Sequence, residues 1–142
     1  MMMADYQTIL LDHKNALLKS LSYLKYSYQK VQPLSMQLKD ADPELLEAWE
    51  GFVARFARVT DIFVMKYLRI RILLDSPDFR GTLRDLLNQA EKMNLIEDAR
   101  QWMRIRDLRN QATHEYSEKE LEPYLQEIKD LTPAVLAIEK VL

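Results

Sequence analysis

Only two histidines occur in the 142 residues, and one stands in the most chemically loaded stretch: Arg109-Asn110-Gln111-Ala112-Thr113-His114-Glu115-Tyr116. Histidine gives and takes a proton near neutral pH. Arginine offers phosphate oxygens a fixed fork of donors and a charge that does not titrate away. Together the two suit metal-independent RNA cleavage. His114 would assist proton transfer at the 2′-hydroxyl or the leaving oxygen, and Arg109 would stabilise negative charge growing on the phosphorus-bound oxygens. Asn110 would orient the substrate or the imidazole. A metal centre is a poor alternative, because one histidine without clustered acids makes no coordination sphere. No cofactor is implied.

These groups must be brought together by the fold. On a continuous helix Asn110 and His114 share a face, with Arg106 one turn below. Arg109 and His114, five residues apart, point roughly 140° away from each other around the axis. Convergence therefore needs either fraying at the helix end, near Tyr116 and Ser117, or a two-fold dimer that sets two copies of the segment face to face. The dimer is the preferred expectation. A plain structural reading stands beside it: His114 caps the helix, Arg109 pairs with Asp61, and Tyr116 packs on the next helix.

Only two glycines and five prolines leave little material for turns and predict a few long helices. The first spans about Asp5 to Val31, with Leu10, Leu17, Leu21, Leu24, Tyr28 and Val31 forming one apolar stripe. His13 falls early in it as a surface residue. Asp42-Pro43-Glu44 reads as a helix start: a capping side chain, proline at the first helical position, then acid in the first turn. This second helix should reach about Leu74, with Trp49, Phe52, Phe56, Phe63 and Tyr67 in the core. From Val59 to Leu74 apolar residues surround nearly the whole circumference, so cover is needed on several sides, some of it from a second subunit. Asp61 lies within that region and needs a partner, for which an arginine of the later segment is the natural candidate.

Asp75-Ser76-Pro77-Asp78 breaks the pattern, and a short helix follows, opened by Thr82 with Asp85 three residues on. Asn94 suits a left-handed helix end. Glu97-Asp98 begin the fourth helix, which carries the arginines. Ser117-Glu118-Lys119-Glu120 reads as a capping box for a last helix that Pro133 should bend or break. The expected fold class is all-α: an antiparallel up-and-down four-helix bundle with one extra short helix, a single domain over 1–142.

Composition narrows the function classes. No cysteine is present, which removes disulfides, thiolate metal sites and cysteine nucleophiles. The N-terminus lacks the basic-then-apolar layout of a secretory signal, and no uncharged apolar run reaches the roughly 20 residues that cross a bilayer. A cytoplasmic location, with no membrane partner, is the expectation. Net charge is −2, yet residues 66–109 carry ten Lys/Arg against seven Asp/Glu, while the remainder carries ten against fifteen. A basic middle in an acidic protein can meet phosphate locally, and an ordinary solvated helix surface has the same composition.

The arginine, four intervening residues, histidine, one further residue and tyrosine, within QWMRIRDLRNQATHEYSEKEL, resemble the signature of the HEPN superfamily. The segment resembles the type paired with a minimal nucleotidyltransferase. RFARVTDIF in the second helix resembles the family's aromatic-acid pattern loosely, and the N-terminal third shows no specific match. The resemblance implies a HEPN-like bundle acting as an endoribonuclease on RNA, the toxin of a toxin–antitoxin pair. It also implies that Tyr116 is the tyrosine that a partner nucleotidyltransferase modifies with adenylate. The alternative is a non-catalytic, substrate-binding or regulatory subunit of that transferase. The expected site is thus Arg109, His114 and Asn110, supported by Asp61 and Arg106, at the interface of a homodimer.

Overall fold

A computed structural model describes residues 3–142. Helix α1 (Met3–Val31) buries Leu17, Leu21, Leu24 and Val31 and half-buries Leu10 and Tyr28, as the stripe predicts. Helix α2 (Pro43–Asp61) starts where expected: the Asp42 side chain accepts from the Leu45 amide at 2.8 Å, and Pro43 occupies the first turn. The helical path runs on to Asp75, close to the expected end at Leu74, but its pitch changes on the way. Ile62–Tyr67 form a π-helical turn, closed by the Leu68 amide donating to the Phe63 carbonyl, before α3 (Leu68–Asp75) resumes the α pitch. One wide turn is the usual form of such an insertion and re-aims the side chains beside it.

The apolar circumference of this region finds its cover inside the chain. Val59, Phe63, Val64, Leu68 and Ile72 are all fully buried, and Tyr67 nearly so. The cover for these residues comes from α1, α4, α5 and α6, so they do not depend on the second subunit expected to supply part of it. Only Met65 remains exposed there. Trp102 of α5 packs its ring 5.0 Å from Phe63, pinning α5 to the π turn.

Helix α4 (Leu83–Lys92) opens on the predicted capping box, with the Asp85 amide donating to Thr82 Oγ1 at 3.2 Å and the Thr82 amide to Asp85 Oδ2 at 2.9 Å. Asn94 takes the left-handed conformation foreseen for it (φ 58°), and Asp40 in the α1–α2 connection does likewise (φ 55°). Helix α5 (Ala99–Asn110) is capped by Asp98, whose carboxylate accepts from the amides of Arg100 and Gln101.

Two expectations near the C-terminus fail. Ser117 does precede α6 (Glu118–Leu136), but its hydroxyl donates to Glu120 Oε1 at 2.8 Å instead of accepting a backbone amide, so the box is incomplete. Pro133 does not break the helix. A proline removes one backbone donor, yet α6 runs on to Leu136 before tightening into a 3-10 turn over Ala137–Val141. The architecture is an all-α bundle, and the described residues contain no strand.

Candidate functional site: a groove between α2, α5 and α6

The C-terminal end of α2 and the last turns of α5 meet through one carboxylate. Asp61 Oδ1 accepts from Arg106 Nη1 and from Arg109 Nε, both at 2.7 Å, while Oδ2 accepts from Arg109 Nη2 at 2.8 Å. The sequence-based expectation of an arginine partner for Asp61 is met twice over. Arg106 and Arg109 are three apart on α5 and therefore share a face. Asp61 itself is not deeply buried, its side chain being 37% exposed. Desolvation pushes its carboxyl upward, but hydrogen bonds from Arg109 and Arg106 outweigh this and hold it below the usual carboxylate range. The same bond to Asp61 raises the Arg109 guanidinium.

Arg109 thus spends one edge of its fork on Asp61 and keeps Nη1 outside that pair. Arg106 is the more enclosed of the two at 13% exposure, and its Nε is buried without a hydrogen-bond partner. A polar atom in that condition is uncommon in a settled interior.

His114 does not lie on a continuous helix. Helix α5 stops at Asn110, with Gln111 as its cap, and His114 stands in the following turn, its amide donating to the Gln111 carbonyl at 3.0 Å. Asn110 and His114 consequently share no helix face, which corrects the periodic reading of this segment. Asn110 is exposed at the end of α5 and does not line the groove. Helix termination, the first of the two routes to convergence, is what frees His114. Its exposed ring lies 6.2 Å from that of Tyr116.

Tyr116 is half-buried. Its ring stacks on Tyr124 of α6 at 4.6 Å, and its hydroxyl donates to Gln111 Oε1 at 2.9 Å. Burial and Glu120 raise its pKa, with Arg104 opposing them. Tyr124 is pushed up further, mainly by burial, and donates to the Leu108 carbonyl at 3.0 Å.

Asp61, Arg109, His114 and Tyr116 all border one groove of about 820 Å³. Its walls are largely apolar, with Trp49, Val53 and Leu125 among them, and its cationic residues also include Arg58 and Lys66. Sequence reasoning missed Arg58, Lys66 and Tyr124. Arg58 was open to detection, standing one helical turn before Asp61. Lys66 depends on the π turn, and Tyr124 on how α6 returns across the groove. His13, expected on the surface, is half-buried; desolvation and then Lys66 lower its pKa, with Asp12 opposing. Among the described residues no three His, Asp or Glu side chains gather as metal ligands, and no helix is long and apolar enough to cross a membrane.

A family model described as nucleotidyltransferase substrate binding protein like matches residues 16–142. The chain belongs to that family. No curated protein matches it. The matched span begins inside α1 and takes in every residue of the groove.

Proposed function

We propose that this member of the nucleotidyltransferase substrate-binding-like family is a binding subunit, a single domain over 1–142 that works in the cytoplasm beside a nucleotidyltransferase. The groove holds the ligand. The observation that carries this reading is the bidentate clasp of Arg109 by Asp61 at 2.7 and 2.8 Å. A guanidinium so engaged is a rigid wall element with one edge left for a polar group. The apolar walls supply contact area and the cations supply orientation, the usual division of labour in a small-molecule site. The test is reconstitution with a partner nucleotidyltransferase, following nucleotidyl transfer from labelled ATP to candidate acceptors. Filling the groove with Val53→Trp should abolish acceptor use while the two proteins still associate. Transfer unaffected by that substitution would refute the binding role.

A second reading is favoured by one specific fact: Arg109 and His114, the two residues of the HEPN-like segment suited to RNA cleavage, line the same groove. Here the protein is a HEPN-type metal-independent endoribonuclease, the toxin of a pair, acting on RNA as a homodimer with the segment at the two-fold interface. His114 transfers the proton, Arg109 stabilises the phosphorane charge, Asn110 orients, and Asp61 and Arg106 hold Arg109 in place. The partner transferase silences it: the Tyr116 oxygen attacks the α-phosphorus of ATP, its proton passes to a transferase base, and pyrophosphate leaves. Growth arrest and RNA cleavage by the wild type, both lost in His114→Ala, would establish this reading. Intact RNA with wild-type protein would exclude it. An adenylate mass still present on Tyr116→Phe would remove Tyr116 from the modification.

A further inference from the structure

The groove sorts its residues by chemistry along its length. Helix α2 lines it from Leu46 to Asp61, a stripe at helical spacing about 22 Å long. The half near Leu46 is apolar. Leu46, Val53 and Leu121 are half-buried there, with Trp49 and Leu125 buried behind them. The stacked rings of Tyr116 and Tyr124 add a flat aromatic wall. Glu50 is the charged residue that lines this half, and Lys129 lies outside it, 5.9 Å from the Trp49 ring.

The other end is cationic. Arg58, Lys66 and Arg109 border it, and the acid among them, Asp61, is already held by Arg106 and Arg109. Among the described residues Arg58 and Lys66 form no ion pair. Arg109 keeps Nη1 outside its pair with Asp61. Glu50 and Arg58 lie eight residues apart, about 12 Å along the axis, so Glu50 cannot quench the far end. Cations gathered at the mouth of an apolar cleft concentrate the field and draw in anions.

Ligand chemistries separate on this layout. A molecule with several amino groups would meet three cations at one end and only Glu50 at the other. A polyanion laid along the groove would carry charge past Leu46, Val53 and Leu121, where no cation lines the wall and burying a charge is costly. An uncharged polar molecule would leave its own donors and acceptors unmet in the apolar half. A single anionic head on an apolar body satisfies both ends at once.

We propose that the groove takes an amphipathic anion, a carboxylate or phosphate head on an apolar body up to about 14 Å long, the axial span from Trp49 to Arg58. The head sits on Arg58, Lys66 and the free edge of Arg109. The body lies over Val53 and Leu46 against Leu121. This rests on the binding-subunit reading, whose ligand it names by class.

Titration calorimetry on the full chain provides the test, with four probes of one chain length: octanoate, octyl phosphate, octanol and octylamine. At least one of the two anions should bind roughly tenfold or more tightly than octanol, with octylamine weakest, and the tighter anion names the head. Lys66→Met and Arg58→Met, both at exposed positions, should keep the helical circular dichroism spectrum. Each should weaken the anion severalfold and leave octanol unchanged. Octylamine binding as well as the anions overturns the proposal, as does anion affinity indifferent to both variants. Single-stranded oligouridylate that displaces octanoate and binds more tightly also overturns it, assigning the groove to a polyanion. Octanol binding as tightly as the anions, and lost in Val53→Trp, overturns the anionic head while the groove's binding role stands. Silence from every probe overturns the amphipathic ligand, and the binding-subunit reading falls with it only if nucleotidyl transfer also ignores Val53→Trp.

Discussion

Asp61 has the widest reach of any side chain at the site, because one carboxylate satisfies two guanidinium groups on a neighbouring helix. Its replacement strands Arg106, whose Nε already lacks a partner. Asp61→Asn should destabilise the protein by roughly 1–2 kcal/mol, a charged hydrogen-bond contribution discounted for solvent screening of a half-exposed group. Urea denaturation measures this. The pH dependence carries a sign. The folded-state pKa lies below the ordinary 3.8, so the contribution is complete above that value and fades as pH falls through the folded-state pKa. The stability gap between wild type and Asp61→Asn should therefore be constant above pH 3.8 and narrow below it. A gap that widens in acid would show that the arginines do not stabilise the ionised form.

Among the helices, α5 matters most, since it carries Arg106 and Arg109 and then stops in time to release His114. Its start depends on Asp98, and Asp98→Ala should cost about 1 kcal/mol, with faster amide exchange in the first turn of α5. Just upstream, Asn94 ends α4 with its own amide on the Glu91 carbonyl and the Leu95 amide on the Ala90 carbonyl. Its φ of 58° penalises any residue with an ordinary Cβ. Asn94→Ala should lose about 1 kcal/mol, whereas Asn94→Gly should keep or raise the melting temperature. Equal effects of the two substitutions would place the cost in the side chain and not in the backbone.

Across the whole molecule, the groove is a by-product of how α2, α5 and α6 are held apart and together. Trp102 is the main tie, buried against Phe63 beside the π turn. Trp102→Ala should remove about 3–5 kcal/mol, read as a lower midpoint in chemical denaturation. It should also loosen the Asp61–arginine clasp, because α5 loses its anchor on the segment that follows Asp61. Retained groove binding in a strongly destabilised Trp102→Ala would separate the site from that packing.

The sequence by itself determined the helices whose signals are local. Asp42-Pro43, the Thr82–Asp85 pair and Asn94 act within one turn, and the stripe from Leu17 to Val31 follows from periodicity alone. It also marked Arg109, His114, Tyr116 and Asp61 as the residues able to do chemistry, because residue type is a local property. What tertiary structure alone decided depends on neighbours distant in the chain. The apolar surround of residues 59–74 could not say whether this chain or another covered it, and α1, α4, α5 and α6 do. The π turn at 62–67 and the passage of α6 through Pro133 express competition between backbone preference and packing, which no short window contains. The joining of Arg58, Lys66 and Tyr124 to the segment around His114 required three helices to be set in place, since a groove belongs to the spaces between elements.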